Sequence, residues 1–158
     1  MLENVWEGKT AELREEIIRF WMQTGALEDR ERAVERVEQV MFIVRHPEGG
    51  IAGVSTVFRR LHRELDNTFY FFRCFVAEEH RQYNLGVVLL VAARDFLNER
   101  YVAGSDTSAI GMMVEVENER LRRIRNQAVW PLSGFVYIGK NPRGDHLRVY
   151  YFHGARIS

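Results

Sequence analysis

Residues 71–90, FFRCFVAEEHRQYNLGVVLL, run an aromatic and β-branched segment into an apolar one through a charged turn. The first part has the composition of a strand, and the part that opens after Gly86 that of a helix. A strand that feeds a helix in this way leaves the first N–H groups of the helix without intrahelical partners. Together with the positive end of the helix dipole, those donors make a seat for an anion. The chain therefore reads as an α/β protein with a candidate anion site at this junction.

The rest of the chain supplies a frame for it. Residues 10–24 show a helical stripe of Leu13, Ile17, Phe20 and Trp21, with Thr10 as a cap and Gly25 as a stop. Residues 28–39 read as a second, highly charged helix with Ala33, Val37 and Val40 facing inward. Residues 40–45 and 51–59 read as strands around the His46-Pro47-Glu48-Gly49-Gly50 turn, and 68–76 as a further, central strand. A helix is expected from Leu85 to about Asn98, a strand over 110–116 and a helix from Glu117 to about Val129, before Pro131. Two strands, 135–139 and 147–152, follow. Only Asn4-Val5-Trp6-Glu7 is available for a short additional strand at the start. The order implies a single α/β domain over 1–158: a mixed, mostly antiparallel central sheet, antiparallel at first, with helices on both faces.

Bulk properties narrow the function classes. A chain of 158 residues fits one domain, which buries roughly 70% of its unfolded surface. No apolar run approaches the roughly 20 residues that span a bilayer, and MLENVWEGKT lacks the basic and apolar regions of a signal peptide. Cys74 is the single cysteine, which excludes an internal disulfide and suits a cytoplasmic location. It is expected as a small buried hydrophobe in its strand. Net charge is zero but unevenly spread: residues 1–46 carry a balance of −3 and residues 117–148 one of +4. That argues against broad nucleic-acid binding, which needs a continuous basic surface. A local basic region remains compatible with a small phosphorylated ligand.

The segment Val76-Ala77-Glu78-Glu79-His80-Arg81-Gln82-Tyr83-Asn84-Leu85-Gly86 resembles the acyl-CoA-binding motif of the GCN5-related N-acetyltransferases, V-x-P-x-x-R-G-x-G-x-G. Arg81 and Gly86 match, while Gln82 and Asn84 stand where the motif has glycines. The element order is also that of the family apart from its usual first strand, so the resemblance spans nearly the whole chain. It implies an acyltransferase that takes acetyl-CoA or another acyl-CoA as co-substrate, uses no metal, and acylates the amine of a small molecule or peptide. The backbone of Arg81, Gln82, Tyr83, Asn84, Leu85, Gly86 and Val87 would then cradle the pyrophosphate. Cys74, Phe75 and Val76 would pair with the pantetheine arm, and Asn118 would help to hold the cofactor. A glycine suits that junction because donors must reach the phosphates with no side chain between. Asn84 tolerates a left-handed backbone better than most residues.

Catalytic groups are less plainly written. An amine nucleophile, with a pKa near ~10.4 for a lysine-type group, must lose its proton, and a carboxylate is the usual base. Glu115 lies opposite the apolar face of its strand and is the candidate; a surface or paired carboxylate is the alternative. Many members of the family carry a tyrosine four residues before a Gly-Phe pair, as the acid for the departing thiolate. Here Gly134-Phe135 is preceded by Trp130, whose indole has no acidic hydroxyl. Tyr83 and Tyr137 are the substitutes, and Tyr137 is taken as the candidate acid. Asn118 reads equally as a helix cap. Arg120, Arg122, Arg123 and Arg125 form a basic cluster that would face a coenzyme A phosphate, an acidic substrate or only solvent. The ending Tyr150-Tyr151-Phe152-His153 is expected to be a mostly buried strand, with an acceptor pocket or a homodimer interface as further readings. A non-catalytic acyl-CoA sensor on the same fold is the alternative function, and a fold redirected to another donor is the third.

Overall fold

Thr10 opens the first helix by accepting a hydrogen bond from the Leu13 amide at 3.1 Å, and Gly25 closes it in the left-handed region at φ 79°. The computed structural model describes the backbone of residues 1–158 and every side chain except those of Gln82 and Tyr83. In chain order the elements are β1 (Leu2–Asn4), α1 (Ala11–Thr24), α2 (Arg30–Arg36), β2 (Val40–Arg45), β3 (Ile51–His62), β4 (Asn67–Val76), α3 (Leu85–Val102), β5 (Gly111–Val116), α4 (Glu119–Ile124), β6 (Val136–Lys140) and β7 (His146–Tyr151). Short 3₁₀ turns cover Val37–Gln39 and Glu78–Tyr83. The strands form one seven-stranded sheet in the order β1-β2-β3-β4-β5-β7-β6. β4 and β5 run parallel, with Tyr70 opposite Met112. The pairs β1–β2, β2–β3, β5–β7 and β6–β7 are antiparallel. This is the mixed, mostly antiparallel sheet that the element order implies.

Several boundaries differ from the sequence reading; β3 runs on to His62 and α3 to Val102, and three other differences are larger in consequence. The first strand lies at Leu2–Asn4 rather than Asn4–Glu7, pairing Leu2 with Val44. The second helix is capped by Asp29 and gives way to the 3₁₀ turn at Val37. The helix expected to reach Val129 stops at Ile124, and Val129 bridges Val136 as extended chain. A β-branched residue next to Trp130, itself pushed away from helical geometry by Pro131, explains the change. The Trp130 amide then bonds Phe135 O at 2.9 Å, and the Gly134 amide bonds Trp130 O at 2.8 Å, closing a turn at Gly134, φ 75°.

The chain gathers into two compact units, Met1–Val57 with Arg73–Ala92, and Phe58–Phe72 with Ala93–Ser158. In the first, Ile17, Phe20 and Trp21 of α1, Ala33 of α2 and Val37 pack with Val40, Ile43, Ile51 and Val54. The apolar stripes read from the sequence are thus the core of this unit. Arg45 fastens its rim, bonding Glu3 at 2.6 Å, Glu16 at 2.8 Å and Gly49 O at 2.8 Å. In the second unit, Phe69, Phe71, Met113, Leu147 and Val149 form a core on one side of β4, β5 and β7. Among the described residues, no helix is long and apolar enough to cross a membrane.

Candidate functional site

The junction after β4 belongs to the first unit. The Ala77 amide makes the last bond toward β3, to Ala52 O at 2.8 Å, and His80 N then bonds Ala77 O at 2.9 Å as the chain turns. Asn84 takes the left-handed conformation, φ 60° and ψ 29°, the role expected of it in place of glycine. The first backbone bonds of α3 run from Val87 and Val88 to Asn84 O, at 3.2 and 3.3 Å. The amides of Leu85 and Gly86 precede them, in the part of a helix whose donors have no intrahelical acceptor.

Gly86 itself is informative. It sits within α3 without a positive φ, and among the described residues the nearest neighbour of a β-carbon there would be Cys74 Sγ at 3.8 Å. Among the described residues, neither backbone conformation nor packing calls for glycine at this point. Among the described residues the place of its side chain is clear of close neighbours, a feature compatible with an anion at the start of the helix. Gly53 provides the contrast: a β-carbon there would press on Leu89 and Val76 side chains at 3.3 Å and Phe75 O at 3.4 Å. That glycine lets β3 pass under the junction.

Arg81 folds back onto the strand, its Nε donating to Val76 O at 3.1 Å and its guanidinium lying 5.5 Å from the Phe75 ring. Phe75 packs edge-on to Phe20 at 6.0 Å. His80 stacks on His46 at 5.2 Å. The side chains of Gln82 and Tyr83, both named in the sequence reading, lie outside the described residues. Cys74 is exposed, which corrects the expectation of a buried strand residue. Crowding by neighbouring atoms nevertheless pushes its thiol up to about 11. Solvent contact would relieve part of that shift, but from either starting point the thiol is protonated at pH 7. Cys74 is therefore no ready nucleophile.

The remaining candidates lie in the second unit. Glu115, with 20% of its side chain exposed, faces Arg143 at 3.7 Å and Arg60 at 3.9 Å. It also accepts from Asn141 Nδ2 at 2.8 Å. Arg143 reaches Asp145 at 3.2 Å and Glu117 at 3.5 Å as well. Glu115 is thus a paired carboxylate. Asn118 caps α4, its Oδ1 accepting from the Leu121 amide at 3.0 Å. Tyr137 lies on edge strand β6, 39% exposed, with its ring 5.1 Å from that of His146. Trp130 is committed elsewhere: its Nε1 donates to Arg125 O at 2.9 Å and its ring lies 4.4 Å from the Arg148 guanidinium. Periodicity gives no sign of that buried arginine, since it alternates with Leu147 and Val149 as a solvated residue would. Among the described residues, no group of three or more His, Cys, Asp or Glu side chains could hold a metal ion.

The fold defined by this sheet and junction is that of the GCN5-related N-acetyltransferases. An acetyltransferase of that family from Streptococcus pneumoniae superposes with a TM-score of 0.65 at 12% identity, over 96% of this chain and 98% of that one. Tetrahymena GCN5 matches with a TM-score of 0.56 at 13% identity, over 100% and 99% of the two chains. A mutant AtaT toxin bound to the C-terminus of the antitoxin AtaR and acetyl-CoA matches with a TM-score of 0.58 at 13% identity, over 96% and 92%. No protein-family model and no curated protein sequence matches the chain.

Proposed function

We propose that this protein binds an acyl-coenzyme A, acetyl-CoA in the first instance, at the junction between β4 and α3 and transfers the acyl group directly to an amine. The observation that carries this reading is Gly86, a glycine in the first turn of α3 for which the described residues give no packing reason. The left-handed Asn84 before it and the first-turn donors of α3 support the same reading. So does the likeness of fold to a structure bound to acetyl-CoA.

On this reading, the backbone from Arg81 to Val87 holds the pyrophosphate, and the end of β4 at Cys74, Phe75 and Val76 orients the pantetheine arm. A main-chain N–H there polarises the thioester carbonyl, commonly a large contribution to acyl transfer. Asn118 is assigned a supporting contact in addition to its cap. Glu115 is assigned the base that takes the proton from the attacking amine, and Tyr137 the acid that returns one to the leaving sulfur. Cys74 carries no acyl group, because its thiol is protonated and transfer is direct.

The test is coenzyme A release, followed by chromatography so that Cys74 does not interfere, during incubation with acetyl-CoA and a panel of polyamines, lysine peptides and amino sugars. Release that depends on one amine class, lost in Gly86→Glu, is the expected result. Binding without release across the panel would leave the fold as an acyl-CoA sensor and overturn the transferase assignment.

A further inference from the structure

Among the described residues, two charged side chains are buried, Asp145 and Arg148, and they are treated very differently. Asp145 is paired with Arg143 at 3.2 Å and accepts from Asn141 at 3.1 Å. Arg148, only 2% exposed, faces no carboxylate among the described residues. Its guanidinium makes two long hydrogen bonds, to Ala128 O at 3.4 Å and Arg125 O at 3.3 Å. The Trp130 ring lies 4.4 Å and the Tyr137 ring 6.0 Å from it. Carbonyls and aromatic faces offset part of the cost of burying a cation, but they leave its charge uncompensated.

The surroundings add to that charge. The β6–β7 register sets Tyr137 opposite Arg148 and Lys140 opposite His146, so these four side chains share one face of the hairpin. Arg122 reaches the same hairpin, donating to Gly144 O at 2.9 Å. Neither Lys140 nor Arg122 has a carboxylate partner among the described residues. Burial, then the nearby charges of Arg122, Lys140 and Arg148, hold His146 below the usual histidine range. Three formal cations and a neutral imidazole thus converge where the described residues supply no paired anion, while Glu115, Glu117 and Asp145 are occupied by Arg143. A surface over an uncompensated buried cation, rimmed by further cations, attracts and retains anions.

We infer that the β6–β7 hairpin carries an oxyanion site, in which Lys140, Arg122 and His146 contact a phosphate or phosphate-monoester dianion above the buried charge of Arg148. A dianion suits the three formal cations better than a single carboxylate does, and the imidazole supplies a neutral N–H donor. The exposed ring of Tyr137 borders the site as an apolar wall for whatever body carries the phosphate. The site lies wholly in the second unit and does not rest on the acyl-transfer reading.

The test follows the imidazole signals of the five histidines by NMR during titration with inorganic phosphate at pH 8, with chloride holding ionic strength constant. A saturable shift confined to His146 is expected. Lys140→Ala and Arg122→Ala together should weaken it about tenfold, a modest loss for two charged contacts, while circular dichroism stays unchanged. Succinate, a dicarboxylate, should bind more weakly than phosphate. Gly86→Glu should leave the response intact, which separates this site from the proposed coenzyme A turn. Absence of a saturable shift, indifference to the double variant, or preference for succinate would each overturn the assignment and leave Arg148 as a staple for residues 125–130.

Discussion

Position 86 separates what the chain needs from what the proposed ligand would need. Glycine weakens a helix relative to alanine, and among the described residues no neighbour crowds the place where a β-carbon would go. Gly86→Ala should therefore leave stability unchanged or raise it by up to about 1 kcal/mol, measured by urea unfolding. The same change should weaken acyl-CoA binding, because the new methyl group stands over the first helical turn. A variant that gained stability and kept full affinity would show that the open turn has no ligand. Asn84 behaves in the opposite sense: Asn84→Ala should cost about 1 kcal/mol through its left-handed backbone. Both residues were legible in the sequence, since a turn between strand and helix restricts which residues can occupy it. Arg148 was not. Burial of an arginine is decided by side chains that arrive from elsewhere, here Trp130 and Tyr137, and a single strand pattern holds no record of them. Cys74 was misread for the same reason: strand composition suggests burial, whereas the chain leaves the end of β4 uncovered at that residue.

At the scale of elements, local rules worked where local forces decide. Thr10, Ile17 and Trp21 were enough to place α1, because a cap and an apolar stripe at helical spacing act within one segment. They failed at residues 125–129, where the charged run continues a helical pattern but Val129 is recruited to β6. Pairing of that kind depends on a partner strand, so it has no signature inside the segment. The elements of the first unit are also tied by charge. Arg45 joins β1, α1 and the β2–β3 turn through Glu3, Glu16 and Gly49. Its hydrogen bond holds the Glu16 carboxyl below the usual carboxylate range. A group with a depressed folded pKa contributes stability above its unfolded pKa and loses that contribution as pH falls through the folded value. Arg45→Met should accordingly lower the urea midpoint at pH 7, and the gap from wild type should close below about pH 4. An equal gap at pH 3 would mean that Arg45 acts through packing alone.

At the scale of the molecule, the element order together with the junction motif was sufficient to name the fold, and sequence identity of 12–13% to these solved structures was not. Sheets of this kind tolerate nearly complete replacement of side chains as long as apolar positions keep their period. A site that works through main-chain donors shares that tolerance, so the junction can persist while Gln82 and Asn84 replace glycines. Groups that act through side chains enjoy no such freedom, and for that reason the base and acid are proposals resting on Glu115 and Tyr137. The central claim is that the open turn at Gly86 holds coenzyme A. Calorimetric titration of the folded protein with acetyl-CoA, beside Gly86→Glu, tests it most directly. Micromolar binding in the wild type, absent in a variant whose circular dichroism is unchanged, is the predicted result. No heat of binding in either protein, or equal binding in both, would contradict it.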